Sequence, residues 1–303
     1  RFIRKFPAIS GLAEASLDDV LALWSGLGYY SRARHLHATA QIIAQHYHGR
    51  FPSTRSEIEQ LPGIGRSTAA AIAVFAFGRR EAILDGNVKR IFTRFYGIDG
   101  FPSNTKTLHR LWEKAEAALP IDCDSGNIES YTQALMDLGA AVCIRSTPLC
   151  HICPLQQQCI ARQQDRVDLL PTPKPRKSLP QKESIMLLLI RQEKLLLQKR
   201  ASTGIWGALW CPPEIDIDID AVHYCRQHLG IEIDAPVSLP VLDHQFTHFK
   251  LRIHPQLLRV VSDPIFTHPQ SRWVNRDNAL RHGIPAPVRK LLAQNSLLTD
   301  FAV

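Results

Sequence analysis

Four cysteines, Cys143, Cys150, Cys153 and Cys159, fall within seventeen residues in the spacing C-x6-C-x2-C-x5-C. A chain of 303 residues buries enough surface to hold a core without staples, so thiols this crowded do not read as a disulfide framework. Their pattern is that of metal ligands. Four thiolates hold Zn²⁺ or an iron–sulfur cluster, and the spacing by itself serves both. Pro148 and Pro154 are expected to keep the segment non-helical.

A second pattern lies upstream. Leu61-Pro62-Gly63-Ile64-Gly65-Arg66-Ser67-Thr68-Ala69 reads as a turn that opens a helix. Pro62 and Gly63 break what precedes, Gly65 permits close backbone approach, and the stretch from Ser67 onward is alanine-rich. Backbone N–H groups at such a turn suit a phosphate oxygen, although an ordinary helix–helix turn has the same letters. Eighteen residues past Ser67 stands Asp85, in Leu84-Asp85-Gly86-Asn87-Val88-Lys89-Arg90, at the head of a basic amphipathic segment. Alone, Asp85 reads as the N-cap of a helix beginning near Asn87.

Taken in order, the L-P-G-x-G-x-x-T-A turn, Asp85 and the four closing cysteines resemble the helix–hairpin–helix base-excision DNA glycosylases with a [4Fe–4S] cluster. Gly26-Leu27-Gly28-Tyr29-Tyr30 and Leu84–Arg90 are most similar to adenine DNA glycosylases of the MutY type. The resemblance runs through almost the whole chain. It implies a multidomain protein: an all-α helix–hairpin–helix domain over 1–164 with a cluster loop at 143–159, a Pro-rich basic linker at 165–182, and an α+β Nudix-like lesion-recognition domain over 183–303. It also implies that Cys143, Cys150, Cys153 and Cys159 ligate the cluster. Asp85 becomes the carboxylate that offsets sugar cation charge, with Asn87 beside it. Leu61, Gly63, Gly65, Ser67 and Lys89 face DNA, and Tyr29 enters beside the damaged guanine while Tyr30 stays in the core. Phe246-Thr247-His248 stands where the family has a Phe-Ser-His loop that reads 8-oxoguanine; Thr247 keeps the hydroxyl and adds a methyl group. Without the family context, Lys89 is a solvent-facing lysine and His248 a strand-edge histidine. The implied partner is duplex DNA holding 8-oxoguanine:A or G:A, met by a monomer in the bacterial cytoplasm and nucleoid.

One position divides the superfamily chemically. Endonuclease III-like enzymes carry a hairpin lysine whose amine attacks the sugar to form a Schiff base. The equivalent residue here is Ser67, which cannot form an imine. The resemblance therefore implies a monofunctional glycosylase that uses water. A bifunctional glycosylase/AP lyase is the competing reading, opposed by Ser67 and by the second domain. A third is a lesion-binding fragment without turnover. The chain opens Arg1-Phe2-Ile3-Arg4-Lys5 without Met, and by resemblance roughly fifty residues with the catalytic Glu and a Gln-Thr wedge are expected upstream. Glu14, Asp18 and Asp19 match nothing in that motif and read as helix-cap and surface charges.

Charge fits a polyanionic partner. The net charge is +8. Residues 1–164 carry 18 Lys and Arg against 14 Asp and Glu, 165–182 five against two, and 183–303 thirteen against twelve. No apolar run reaches the roughly 20 residues a bilayer span needs. Helices are expected at Ser31–Tyr47 (Ser31 as N-cap, Gly49 past the end), Ser67–Phe77, Val88–Tyr96, Thr105–Leu119 and Asn127–Ala141. Beyond the linker, Ile185–Ile190 and Leu195–Gln198 read as a hairpin and Phe249–Ile253 as a strand, with helices at Ala221–Leu229 and Val288–Leu292. Gly204-Ile205-Trp206-Gly207-Ala208-Leu209-Trp210-Cys211-Pro212-Pro213 matches the core turn of Nudix-like domains. Nudix hydrolases hold Mg²⁺ with glutamates on one helix, and Ala221–His228 contains none, so this domain is expected to bind rather than hydrolyse.

Overall fold

The structure, a computed structural model, describes residues 1–121, 125–174, 178–262 and 270–293, side chains at 125 and 126 aside. Packing gathers it into two compact units, Arg1–Ala44 with Lys177–Val303, and Gln45–Arg176. This grouping differs from the sequence-order division at the proline-rich linker, part of which (175–177) lies outside the described residues. The reason is a shared core: Leu12, Val20, Leu21, Ala33 and Ala40 pack together with Ala208 and Leu209.

The first unit opens with α1 (Phe2–Lys5), α2 (Ile9–Glu14), α3 (Leu17–Leu23) and α4 (Tyr30–His46). Ser16 caps α3 by accepting from Asp19 N–H, and Asp18 pairs with Lys199 at 2.6 Å. Helix α4 begins at Tyr30, so Ser31 sits within its first turn rather than capping it. Tyr29, at φ 47°, ends the preceding loop instead.

The second unit is helical among its described residues: α5 (Arg55–Glu59), α6 (Arg66–Phe77), α7 (Gly86–Phe95), α8 (Thr105–Ala117), α9 (Ser125–Asp137) and α10 (Ile160–Gln163). Its core joins the alanine face of α6 to Val88, Ile91 and Phe92 of α7 and Leu111 of α8. Helix α9 does not run on to residue 141. At Leu138–Val142 it widens into a π-helix, with Cys143 N–H bonded to Leu138 C=O at 2.7 Å. Inside the cysteine loop Cys150–Ile152 forms a short 3₁₀ turn despite the flanking prolines.

The remainder of the first unit is a mixed sheet: β1 (Gln181–Arg191), β2 (Lys194–Lys199), β3 (Trp210–Cys211), β4 (Glu214–Ile215), β5 (Val237–Ser238), β6 (Leu242–Gln245), β7 (Lys250–Arg259) and β8 (Ser271–Asn275). The order β3-β2-β1-β7-β5 places the parallel pair β1–β7 at its centre. Accordingly β1 is buried without a break from Ser184 to Ile190, as a strand covered on both faces must be. Three short helices cover it: α11 (Ala221–Tyr224, continued as a π-turn through Leu229), α12 (Arg276–Arg281) and α13 (Ala286–Ala293).

Candidate functional site

In the helical unit the turn at 61–65 is tight. Ile64 N–H bonds Leu61 C=O at 3.2 Å, and Gly63 takes φ 74°, which favours glycine. Leu61 points inward at 3% exposure, so its side chain packs the turn and does not face solvent. Gly65 is the N-cap of α6 and no side chain caps that end. The first-turn N–H groups, which have no intrahelical acceptor, therefore stay open to an external oxygen. Ser67 in that first turn accepts from Leu84 N–H at 2.8 Å. That bond pins the residue preceding Asp85 to the hairpin helix.

Asp85 caps α7: its Oδ1 accepts from Val88 N–H at 2.8 Å, and no described residue bonds its second oxygen. Asn87 is held by Arg90, whose Nη2 donates to Asn87 Oδ1 at 2.9 Å and to Gly139 C=O at 2.6 Å. Arg90 Nε donates to Cys143 C=O at 2.7 Å. A Cβ on Gly139 would lie 2.6 Å from Asn87 Cβ, so the π-helix approaches α7 only as glycine. Lys89 is half-buried with no described partner for its ammonium.

Cys143, Cys150, Cys153 and Cys159 line one largely apolar cavity with Ile91, Leu138 and Leu149. Among the described residues no three His, Cys, Asp or Glu converge closely enough to share a single metal ion. Four thiols lining one cavity are a donor set that serves either Zn²⁺ or an iron–sulfur cluster. Arg94 supplies the charge argument. It is 3% exposed and has no carboxylate partner among the described residues. Its guanidinium donates to the carbonyls of Leu170 (2.8 Å), Ile144 (2.7 Å) and Arg145 (3.1 Å) and to Cys143 Sγ at 3.4 Å. So placed beside the thiols, the Arg94 cation favours negative charge on Cys150. Burial, then the neighbouring Cys143 and Cys159, pushes the Cys150 thiol pKa up.

A separate cleft of about 650 Å³ lies within the first unit. Tyr29, Arg34, Trp206, Phe246, Thr247 and His248 are among its lining residues. Tyr29 is 71% exposed, with the Arg32 guanidinium 5.5 Å from its ring centroid. Tyr30, which also lines the cleft, packs partly into the core and donates to Ile284 C=O at 3.0 Å. Phe246–Phe249 is the hairpin loop between β6 and β7, closed by Phe246 N–H to Phe249 C=O at 2.9 Å. Thr247 and His248 stand exposed at its tip, Thr247 Oγ1 3.3 Å from His248 Nδ1. The fold thus brings Tyr29 and the 246–248 loop, 217 residues apart, to one concave surface.

Sequence reasoning gave no site role to Arg90, Arg94 or Trp206. Arg90 lies three residues after Asn87, a spacing that puts both side chains on one helix face, and Trp206 lies in the Nudix-like core turn.

Residues 1–117 match the HhH-GPD superfamily of base excision DNA repair proteins, and residues 185–294 match the NUDIX domain. The adenine DNA glycosylase of Buchnera aphidicola subsp. Acyrthosiphon pisum (strain APS) is 40% identical over 96% of this chain and 83% of its own length. That of Rattus norvegicus is 30% identical over 96% of this chain and 66% of its own length. A thermostable thymine-DNA glycosylase structure is 28% identical, covering 54% of this chain and 73% of its own with a TM-score of 0.48. With relatedness of this extent running through both the helical and the sheet-bearing regions, the chain belongs to the adenine DNA glycosylase family.

Proposed function

We propose that the protein hydrolyses the N-glycosidic bond of adenine mispaired with 8-oxoguanine or guanine, without a lyase step. Support for the absence of a lyase step comes from Ser67 in the first turn of α6: its hydroxyl cannot form an imine, and by accepting from Leu84 N–H it ties the residue before Asp85 to the hairpin helix. The scissile bond is inaccessible in a stacked duplex, so the nucleotide must be extruded. The open N–H groups of α6 and the Lys89 ammonium suit the phosphates flanking an extruded nucleotide. As adenine departs, the sugar gains oxocarbenium character. Asp85, with one carboxylate oxygen free of the cap, offsets that charge. Asn87, oriented by Arg90, presents its amide beside the same helix end.

The four cysteines fit the [4Fe–4S] cluster the family implies, on the strength of the cavity they ring and the buried Arg94 cation beside it. When bound, such a cluster supplies a rigid anionic crosslink for the loop. Iron analysis and visible absorption test it: stoichiometric zinc without iron refutes the assignment. On the lesion side, Tyr29 offers an aromatic face and Thr247 and His248 offer polar groups in one cleft, which suits a damaged guanine. The functional test uses the enzyme as its gene encodes it, with duplexes holding 8-oxoguanine:A, G:A or undamaged pairs. Free adenine and an intact strand are expected, with little borohydride-trapped adduct; trapping as efficient as a lyase's, with strand cleavage, refutes the monofunctional reading.

A further inference from the structure

We propose that Trp206 is the positioning residue of the lesion-side cleft: its ring fixes Phe246, and through Phe246 sets where Thr247 and His248 stand. The inference rests on reading the 246–248 loop as the lesion contact. Phe246 is enclosed by aromatic faces. Phe249 stacks on it at 4.5 Å between centroids with an interplanar angle of 18°, His244 meets it edge-on at 4.7 Å, and Trp206 lies 5.6 Å away. Trp206 also lies 5.9 Å from His244. Burial lowers the His244 pKa, disfavouring a charge on this neighbour of Phe246.

Phe249 and His244 belong to the hairpin itself, so they move with it. Trp206 comes from another segment. Its ring ties Phe246 to a segment outside the hairpin, as the Lys182 ammonium, 5.4 Å from the Phe249 ring, ties Phe249 to β1.

The Trp206 backbone shows why it can act as a fixed reference. It has φ 55°, in the left-handed region that a bulky residue rarely adopts, and Ala208 follows at φ 60°. Such a conformation persists only where the surroundings over-determine it. Here they do. Arg34 of α4 donates to Gly207 C=O at 3.0 Å, and Ala208 N–H bonds Ala201 C=O at 2.9 Å. A Cβ on Gly207 would lie 2.5 Å from Ser202 C=O, leaving no room for any other residue. Leu209 is fully buried and anchors the following strand. The Arg200 guanidinium lies 5.7 Å from the Trp206 ring centroid. Because Arg34 reaches this loop from the helix that follows Tyr29, the two walls of the cleft share one reference.

The test compares Trp206→Leu, Trp206→Phe and Thr247→Ala for binding to 8-oxoguanine:A, G:A and undamaged duplexes carrying an uncleavable adenosine analogue. Trp206→Leu should lower the 8-oxoguanine:A preference over G:A about tenfold, the size of one lost base contact, with undamaged-duplex binding unchanged. Trp206→Phe, which keeps an aromatic face against Phe246, should restore most of it. Thr247→Ala separates the two levels. If it lowers the preference and Trp206→Leu does not, the positioning role is wrong while the lesion loop stands. If neither does, the lesion-loop reading fails and the inference with it. Equal losses on all three duplexes, or no rescue by phenylalanine, would show Trp206 supporting the fold alone and overturn the proposal.

Discussion

Replacing Asp85 by asparagine separates its two roles, because asparagine caps a helix about as well as aspartate. The Val88 N–H keeps an oxygen acceptor in the variant, so melting temperature should hold. The charge that offsets the oxocarbenium sugar is lost, so single-turnover adenine release by the enzyme as its gene encodes it should fall by more than about a hundredfold, with duplex affinity kept. Asp85→Ala should lose release as well and also cost about 1 kcal/mol of stability, read by denaturant unfolding, since the cap goes too. Release by Asp85→Asn near the wild-type rate would remove Asp85 from the chemistry. The sequence made the cap legible, because an acidic residue three before Val88 at the head of an amphipathic run has a local physical meaning. It could not reveal that Ser67 accepts from Leu84 N–H: that bond joins residues 17 apart through a turn whose closure no local pattern encodes.

Helix α7 carries more than its cap. One of its faces delivers Val88, Ile91 and Phe92 to the core, and Arg90 and Arg94 reach from it to the start of the cysteine loop. An arginine inside a helix ordinarily reads as a solvated charge, which is why Arg94 escaped sequence reasoning. Its burial depends on carbonyls contributed by segments around residues 144 and 170, far along the chain. Arg94→Met should therefore strip donors from several buried carbonyls at once and cost about 3–5 kcal/mol, the size expected for breaking a buried charged network. The iron bound per chain should drop with it. Arg94→Lys keeps the charge without the planar fork and should recover only part of either quantity. Full iron content in Arg94→Met, measured by colorimetric assay on protein purified anaerobically, would show that the cation is dispensable to the cavity. The π-turn at Leu138–Val142 was equally illegible, since a helix widened by one residue keeps its composition; within it Gly139 lies so close to Asn87 that a Cβ would meet Asn87 Cβ at 2.6 Å.

Across the whole molecule, the net charge of +8 makes duplex binding salt-dependent in a way that ignores sequence. Raising salt should weaken 8-oxoguanine:A and undamaged duplexes with the same log–log slope in fluorescence anisotropy; a steeper slope for the lesion would place extra phosphate contacts on the recognition side. The order of helices then strands was legible from periodicity. What periodicity could not assign was the allegiance of the first helices, because an amphipathic face states that a helix is buried and not against what. Here that face meets the sheet-bearing segment. Leu21 packs so near Gly283 that a Cβ there would lie 2.9 Å from Leu21 Cβ, and Arg289 donates to Ser25 Oγ at 2.7 Å. Each buried leucine or valine on this surface contributes roughly 1.5–3 kcal/mol. A chain ended at Arg176 loses these partners for Leu12, Val20 and Leu21, while the core of α6, α7 and α8 keeps its own. Hydrogen exchange on that shortened protein should therefore show α3 and the first half of α4 exchanging fast, with α6 to α8 protected as in the longer chain. Continued protection of α3 and α4 would show instead that the opening helices draw their stability from the helical segments that follow them in sequence.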